Sequence, residues 1–133
     1  MMKAYVYLIV ILVLTLGAIG VVQAHEVRPG YLQIKQVEAL SYDVLWKVPA
    51  KSDRRLALYV RFPGNCHSSE TTSRFTAGAY FERWQAACEG GLKNGTITIE
   101  GLEATRTDVL ARVEHNNVHT QTVRLTPSQP EFI

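Results

Sequence analysis

The sequence predicts an all-β domain: an antiparallel β-sandwich of immunoglobulin-like architecture, with about seven strands, behind an N-terminal signal helix. Three observations predict it. After the leader, apolar and polar residues alternate with a period of two, the sign of half-buried strands. Turn-forming clusters of Gly, Asn, Pro and Ser separate the alternating runs at short intervals. No segment of the alternating region carries the i, i+3, i+4 apolar spacing of a convincing amphipathic helix.

The leader comes first. Residues 4–22, AYVYLIVILVLTLGAIGVV, carry no charge and follow the short positive start Met1-Met2-Lys3. Gly17 and Gly20 loosen the helix toward its end, and Val22 and Ala24 put small residues where signal peptidase reads them. This is the layout of a secretory signal over residues 1–24, cleaved between Ala24 and His25, with an exported domain over 25–133. The alternative is an uncleaved inner-membrane anchor formed by residues 4–22, because the apolar run is about as long as the ~18 residues that a span requires. In both cases the rest of the chain is periplasmic or otherwise extracytoplasmic, and it meets the membrane only through an uncleaved leader.

The strands follow in order. GYLQIKQVEA puts Leu32 and Ile34 on one side. SYDVLWKVPA aligns Tyr42, Val44, Trp46 and Val48 on one face, with Asp43 and Lys47 opposite and Pro49 closing the run. RRLALYVRFPG repeats the pattern with Leu56, Leu58, Val60 and Phe62 inward. SSETTS reads as a polar loop near Cys66. RFTAGAYFERWQAAC ends with Trp84, Ala86 and Cys88 on one face, and EGGLKNG is a turn cluster. In TITIEGL, Ile97 and Ile99 point inward. Asn116-Asn117 lies between two β-rich runs and predicts a tight two-residue hairpin. Asp108 to Glu114 also admits a helical reading, with Val109 and Val113 four apart, but β-branched content and the following turn favour a strand. Trp46 and Trp84 are expected in the core.

Formal net charge is +2, and loss of the leader removes only Lys3. That balance excludes a nucleic-acid binder with a concentrated basic face. The densest cationic cluster, Lys51 with Arg54 and Arg55, is broken by Asp53 and reads as a solvated turn. Export gives meaning to Cys66 and Cys88, the only two cysteines, which an oxidising compartment pairs into a structural disulfide. They lack the CxxC spacing of a metal or redox pair.

No sequence pattern places a nucleophile beside a base. There is no G-x-S-x-G, H-E-x-x-H or glycine-rich phosphate loop, and the chain reads as a non-enzyme. Glu100, Glu103 and Asp108 are carboxylates of a kind that any β domain offers. Asn94-Gly95-Thr96 matches a glycosylation sequon but reads first as a turn. Of the four histidines, His67 reads as a solvated loop residue. His115 and His119 would share a metal on a helix. In a two-residue hairpin, residue 115 faces 118 and 114 faces 119, so the two imidazoles are expected on opposite faces. His25 is the metal candidate: after cleavage its free amino group and imidazole can chelate one ion together, with Glu26, a distant carboxylate or His67 completing the shell, and such nitrogen donors suit Ni, Cu or Zn.

Several stretches together resemble one family: AHEVRPGYLQI, YDVLWKVPA, LALYVRFPGNC, ERWQAAC, GLKNGTITIEGLEATRTDVLARVE and QTVRLTPSQPEF. They look like the extracytoplasmic N-terminal region of HupE/UreJ-type membrane proteins, a hydrogenase- and urease-accessory family thought to act as nickel permeases. The resemblance covers nearly all of residues 24–132, and its most specific parts are the HE-R-P start and GLEAT-TDVL. Family members continue past the region matching RLTPSQPEF into transmembrane helices, whereas no apolar stretch of spanning length follows Val22 here. Only His25 and Glu26 match a family motif of potential metal interest. The resemblance implies an exported accessory domain of a nickel-permease-like system, touching a membrane permease partner or a metal ion. Two other readings stand beside it: a free periplasmic metal-binding protein using His25, and a structural interaction module without a ligand.

Overall fold

The computed structural model describes residues 1–16, 20 and 28–133. An apolar helix, α1 (Met2–Leu16), heads the chain. No helix among the described residues is long and apolar enough to cross a membrane. The cleavage site at Ala24 and His25, and the metal candidates His25 and Glu26, lie outside the described residues.

Among the described residues eleven strands follow: β1 (Gly30–Glu38), β2 (Ser41–Lys51), β3 (Arg54–Arg55), β4 (Tyr59–Arg61), β5 (Cys66–Ser68), β6 (Thr72–Thr76), β7 (Ala79–Cys88), β8 (Ile97–Glu100), β9 (Val109–His115), β10 (His119–Leu125) and β11 (Glu131–Phe132). Eight form one large sheet in the order β10-β9-β1-β2-β7-β5, with β3 added to β2 and β6 to β7. The other three form a small sheet, β11-β8-β4. The expected layered all-β architecture is present. Its pairing is antiparallel throughout except between β1 and β9, which run parallel.

Strand alternation explains the core. Leu32, Ile34, Tyr42, Val44, Trp46 and Val48 are buried on one face of the large sheet, as their period of two requires. Ala86 and Cys88 extend that face on β7, and Val109, Ala111 and Val113 extend it on β9. The small sheet contributes Ile97 and Ile99 from the other side. Trp46 is fully buried, whereas Trp84 is half-buried and meets Phe62 edge to face at 6.3 Å. Gly30 is small for a reason: a Cβ there would stand 3.1 Å from the Trp46 ring and 3.0 Å from Val109.

The run from Arg54 to Phe62 is divided, although its four inward residues all join the core. Arg54 and Arg55 pair with β2, while Tyr59 to Arg61 pair with β8 in the other sheet. The chain therefore changes sheets over residues 56–58. Leu58 is fully buried at this crossing. The Arg55 guanidinium holds it in place, giving two hydrogen bonds to Glu82 (2.6 and 3.0 Å) and one each to the carbonyls of Leu56 and Leu58. Trp46 Nε1 donates to the same Leu58 carbonyl at 3.4 Å. Gly101 completes the fit, because its φ of +89° and a Cβ position 2.2 Å from the Ala57 carbonyl oxygen leave no room for a side chain.

Of the SSETTS stretch expected to be a polar loop, residues 69–71 lie outside the strands, while Ser68 ends β5 and Thr72 and Ser73 open β6, both strands pairing with one edge of β7. Its serines and threonines are exposed on an edge, where ladder hydrogen bonds rather than apolar burial define the strand, so hydrophobic alternation is absent. The helical alternative for Asp108 to Glu114 gives way to β9, which lies between two strands.

Cys66 and Cys88 form the expected disulfide. They are direct cross-strand partners of β5 and β7, with Cα atoms 4.0 Å apart. The bridge thus lies within one sheet, unlike the inter-sheet bridge of antibody domains. It fastens the short edge strand β5 and leaves the buried Cys88 in the core. Reduction is expected to lower the melting temperature, with a stability loss on the order of 3 kcal/mol for a loop of this length. Thermal unfolding with and without reductant measures it; equal melts, with two thiols titrated in the reduced native protein, would show that the edge holds without the bridge.

Candidate functional site

Two places on the described surface gather chemistry-bearing side chains. The first is the tip of the β9–β10 hairpin. Asn116 and Asn117 both adopt positive φ, 48° and 56°, as a type I′ turn demands, and Val118 N–H closes it on the His115 carbonyl at 3.0 Å. The ladder does not start at Val118. It starts with His119 opposite His115, leaving Val118 as an extra, fully solvated residue. This corrects the sequence expectation, which placed 115 opposite 118. One residue of register moves His119 to the other face. The two imidazoles consequently lie on the same face, with ring centroids 6.2 Å apart and planes 26° from parallel. The signal missed was the bulge residue after the Asn-Asn turn; Val118 is a strong strand former, and nothing in the local sequence marks it as unpaired.

The second place is the outer face of the large sheet, which the small sheet leaves uncovered. A shallow cleft of about 390 Å³ opens there between Gln33, Lys35, Asp43, Arg83 and Gln85, with Trp84 at its edge. Gln85 Nε2 donates to Asp43 at 3.1 Å, and Ser69 Oγ receives the Gln85 backbone N–H at 2.9 Å. Among the described residues no ion pair engages Lys35 or Arg83, so the cleft keeps a positive bias. Its groups are donors and a single carboxylate, without a nucleophile held by a base.

The remaining candidates are dispersed. His67 sits on β5 opposite Ala87, exposed, as a solvated residue. Glu100 is bound by Arg61 on the neighbouring strand, and Asp108 by Arg124 on β10. The Arg61 hydrogen bond holds the Glu100 carboxyl below its ordinary range and raises the guanidinium in turn. Each carboxylate is therefore spent on its own arginine, and Glu103 stands exposed on the 3₁₀ turn Leu102–Ala104. Asn94 has a positive φ of 62°, in keeping with its reading as a turn. Among the described residues no three or more His, Cys, Asp or Glu side chains come together as a metal site.

No known protein-family model matches the chain, and no curated protein matches it.

The observed register predicts through-space NMR contacts between the ring protons of His115 and His119, and between His119 and the Val113/Gln121 pair one step along the same face. Contacts from His119 to Glu114 side-chain protons in their place would return the hairpin to the two-residue register.

Proposed function

We propose that this protein is a non-enzymatic exported accessory domain of a HupE/UreJ-like nickel-permease system, acting beside a membrane partner. The Cys66–Cys88 bridge carries the reading: a paired disulfide fastening an edge strand suits an oxidising, extracytoplasmic compartment. The apolar α1 at the head of the chain, whose one charge is Lys3 at its start, supports delivery there. The resemblance in AHEVRPGYLQI and GLEATRTDVL supports the family and, through it, nickel as the cargo. The outer face of the large sheet, where Lys35 and Arg83 enter no ion pair among the described residues, offers a partner a broad surface already organised by the ladder.

The test combines location and transport. Fractionation of the native host is expected to place the protein in the periplasm or on the outer side of the inner membrane. Deletion of its gene is expected to lower accumulation of radioactive nickel at limiting external concentration, with recovery on complementation. A cytosolic location with reduced cysteines, or nickel accumulation that deletion leaves unchanged, would contradict the proposal.

A further inference from the structure

We propose that the β9–β10 hairpin tip is a binding site for one borderline divalent ion, of the class Cu²⁺, Ni²⁺ or Zn²⁺, held between His115 and His119. The inference uses neither His25 nor the family resemblance, and it stands apart from the proposed function.

The backbone supplies the geometry. Directly opposed residues of an antiparallel pair hold their Cβ atoms about 4.5–5.5 Å apart, so both side chains start from a chelating distance. The ring centroids stand 6.2 Å apart. With metal–nitrogen bonds of about 2.0–2.1 Å, two adjacent imidazoles on one ion stand roughly 4.5–5 Å apart, so χ rotations must draw the rings about 1 Å nearer and turn a nitrogen of each toward the ion. His119 is exposed and His115 only half-buried, which leaves those rotations free. The Asn116-Asn117 turn and the ladder from His119 to Leu125 hold the register before any ion arrives.

The surroundings also suit a cation. Among the described residues neither imidazole hydrogen-bonds through its ring, so no partner competes for the nitrogens. The next pair along the same face is Val113 with Gln121, both neutral, and Gln121 is occupied in donating to the Ile133 carbonyl at 3.2 Å. Arg112 and Glu114 belong to the opposite face and bind each other. No lysine or arginine on the histidine face of this hairpin repels a dication. Two imidazoles leave the other coordination positions to water, an arrangement open to ligand exchange, and the Irving–Williams order places Cu²⁺ above Ni²⁺ and Zn²⁺.

The test uses the full chain made without a histidine tag, with His25→Ala as the background so that the N-terminal site is silent. Calorimetric titration with Cu²⁺ and then Ni²⁺ is expected to show one ion per chain, and copper electron paramagnetic resonance to show two equivalent imidazole nitrogens. His115→Asn and His119→Asn should each weaken Cu²⁺ binding by more than about 100-fold, beyond the loss seen when mere outer-shell partners are removed. Both variants should melt like the background protein without metal, which shows that they fold. Cu²⁺ should raise the melting temperature of the background protein and of neither variant. Binding that survives both substitutions, or no binding in the background protein, would overturn the site. If copper binds only when His25 is intact, the hairpin site is refuted while chelation by His25 stands.

Discussion

The structure depends on one crossing. An eight-stranded sheet exposes a long apolar face, and only three short strands cover it. The chain must pass from the large sheet to the small one over residues 56–58, where three backbone groups leave one ladder before joining the next. Arg55 resolves this locally. Its fork binds both oxygens of Glu82, and its remaining donors take the Leu56 and Leu58 carbonyls. Trp46, at the centre of the large sheet, donates to the same Leu58 carbonyl. The ion pair is mostly buried, with side-chain exposures of 22% for Arg55 and 14% for Glu82. A bidentate pair in that setting is geometrically specific in a way that a flexible surface pair is not. It sets where Leu58 enters the core and hence how β4 and β8 lie over Trp46.

The parallel pairing of β1 with β9 then gives the domain two distinct ends. Both strands run the same way, so the β1–β2 turn and the β9–β10 tip emerge together. The Cys66–Cys88 bridge lies at that end too, since the Cys88 N–H bonds the Leu40 carbonyl in the β1–β2 turn. The opposite end holds the start of β1. There Arg28 donates to the Ala77 carbonyl, Thr107 to the Arg28 carbonyl, and Gly30 to the Asp108 carbonyl. Nine residues of β1 at about 3.3 Å each separate the two ends by roughly 30 Å. The facing histidines therefore lie at the end of the domain opposite the start of β1. An ion held there would be offered at the far side of the domain, which suits hand-over to or from a second molecule more than burial within this one.

Much of this was legible in the residues, for a physical reason. Strands with one buried face must alternate, and Leu32, Ile34, Tyr42, Val44, Trp46, Val48, Ile97 and Ile99 declare themselves that way. The cysteines can be paired from the sequence because there are only two and the apolar start reads as an export signal, which implies an oxidising destination. Three features were not legible. The sheet change inside RRLALYVRFPG preserves the inward alternation across the break, so periodicity cannot reveal it. Edge strands β5 and β6 gain their ladder from β7 and need no apolar face, so SSETTS looks like loop. The unpaired Val118 depends on how the Asn-Asn turn meets the ladder, and this one-residue offset decides whether His115 and His119 meet or part. Register thus hides the candidate site in the sequence, although both of its histidines are plain there.

The most direct test of the crossing is the unfolding free energy of Glu82→Gln, by urea denaturation at neutral pH, beside the unaltered protein. The substitution keeps the shape of the side chain and leaves the Arg55 charge uncompensated in a largely buried place. The account predicts a loss of about 2–4 kcal/mol, somewhat below the cost of breaking a fully buried pair. A change within about 0.5 kcal/mol, the range of ordinary surface substitutions, would contradict it and make the crossing independent of this pair.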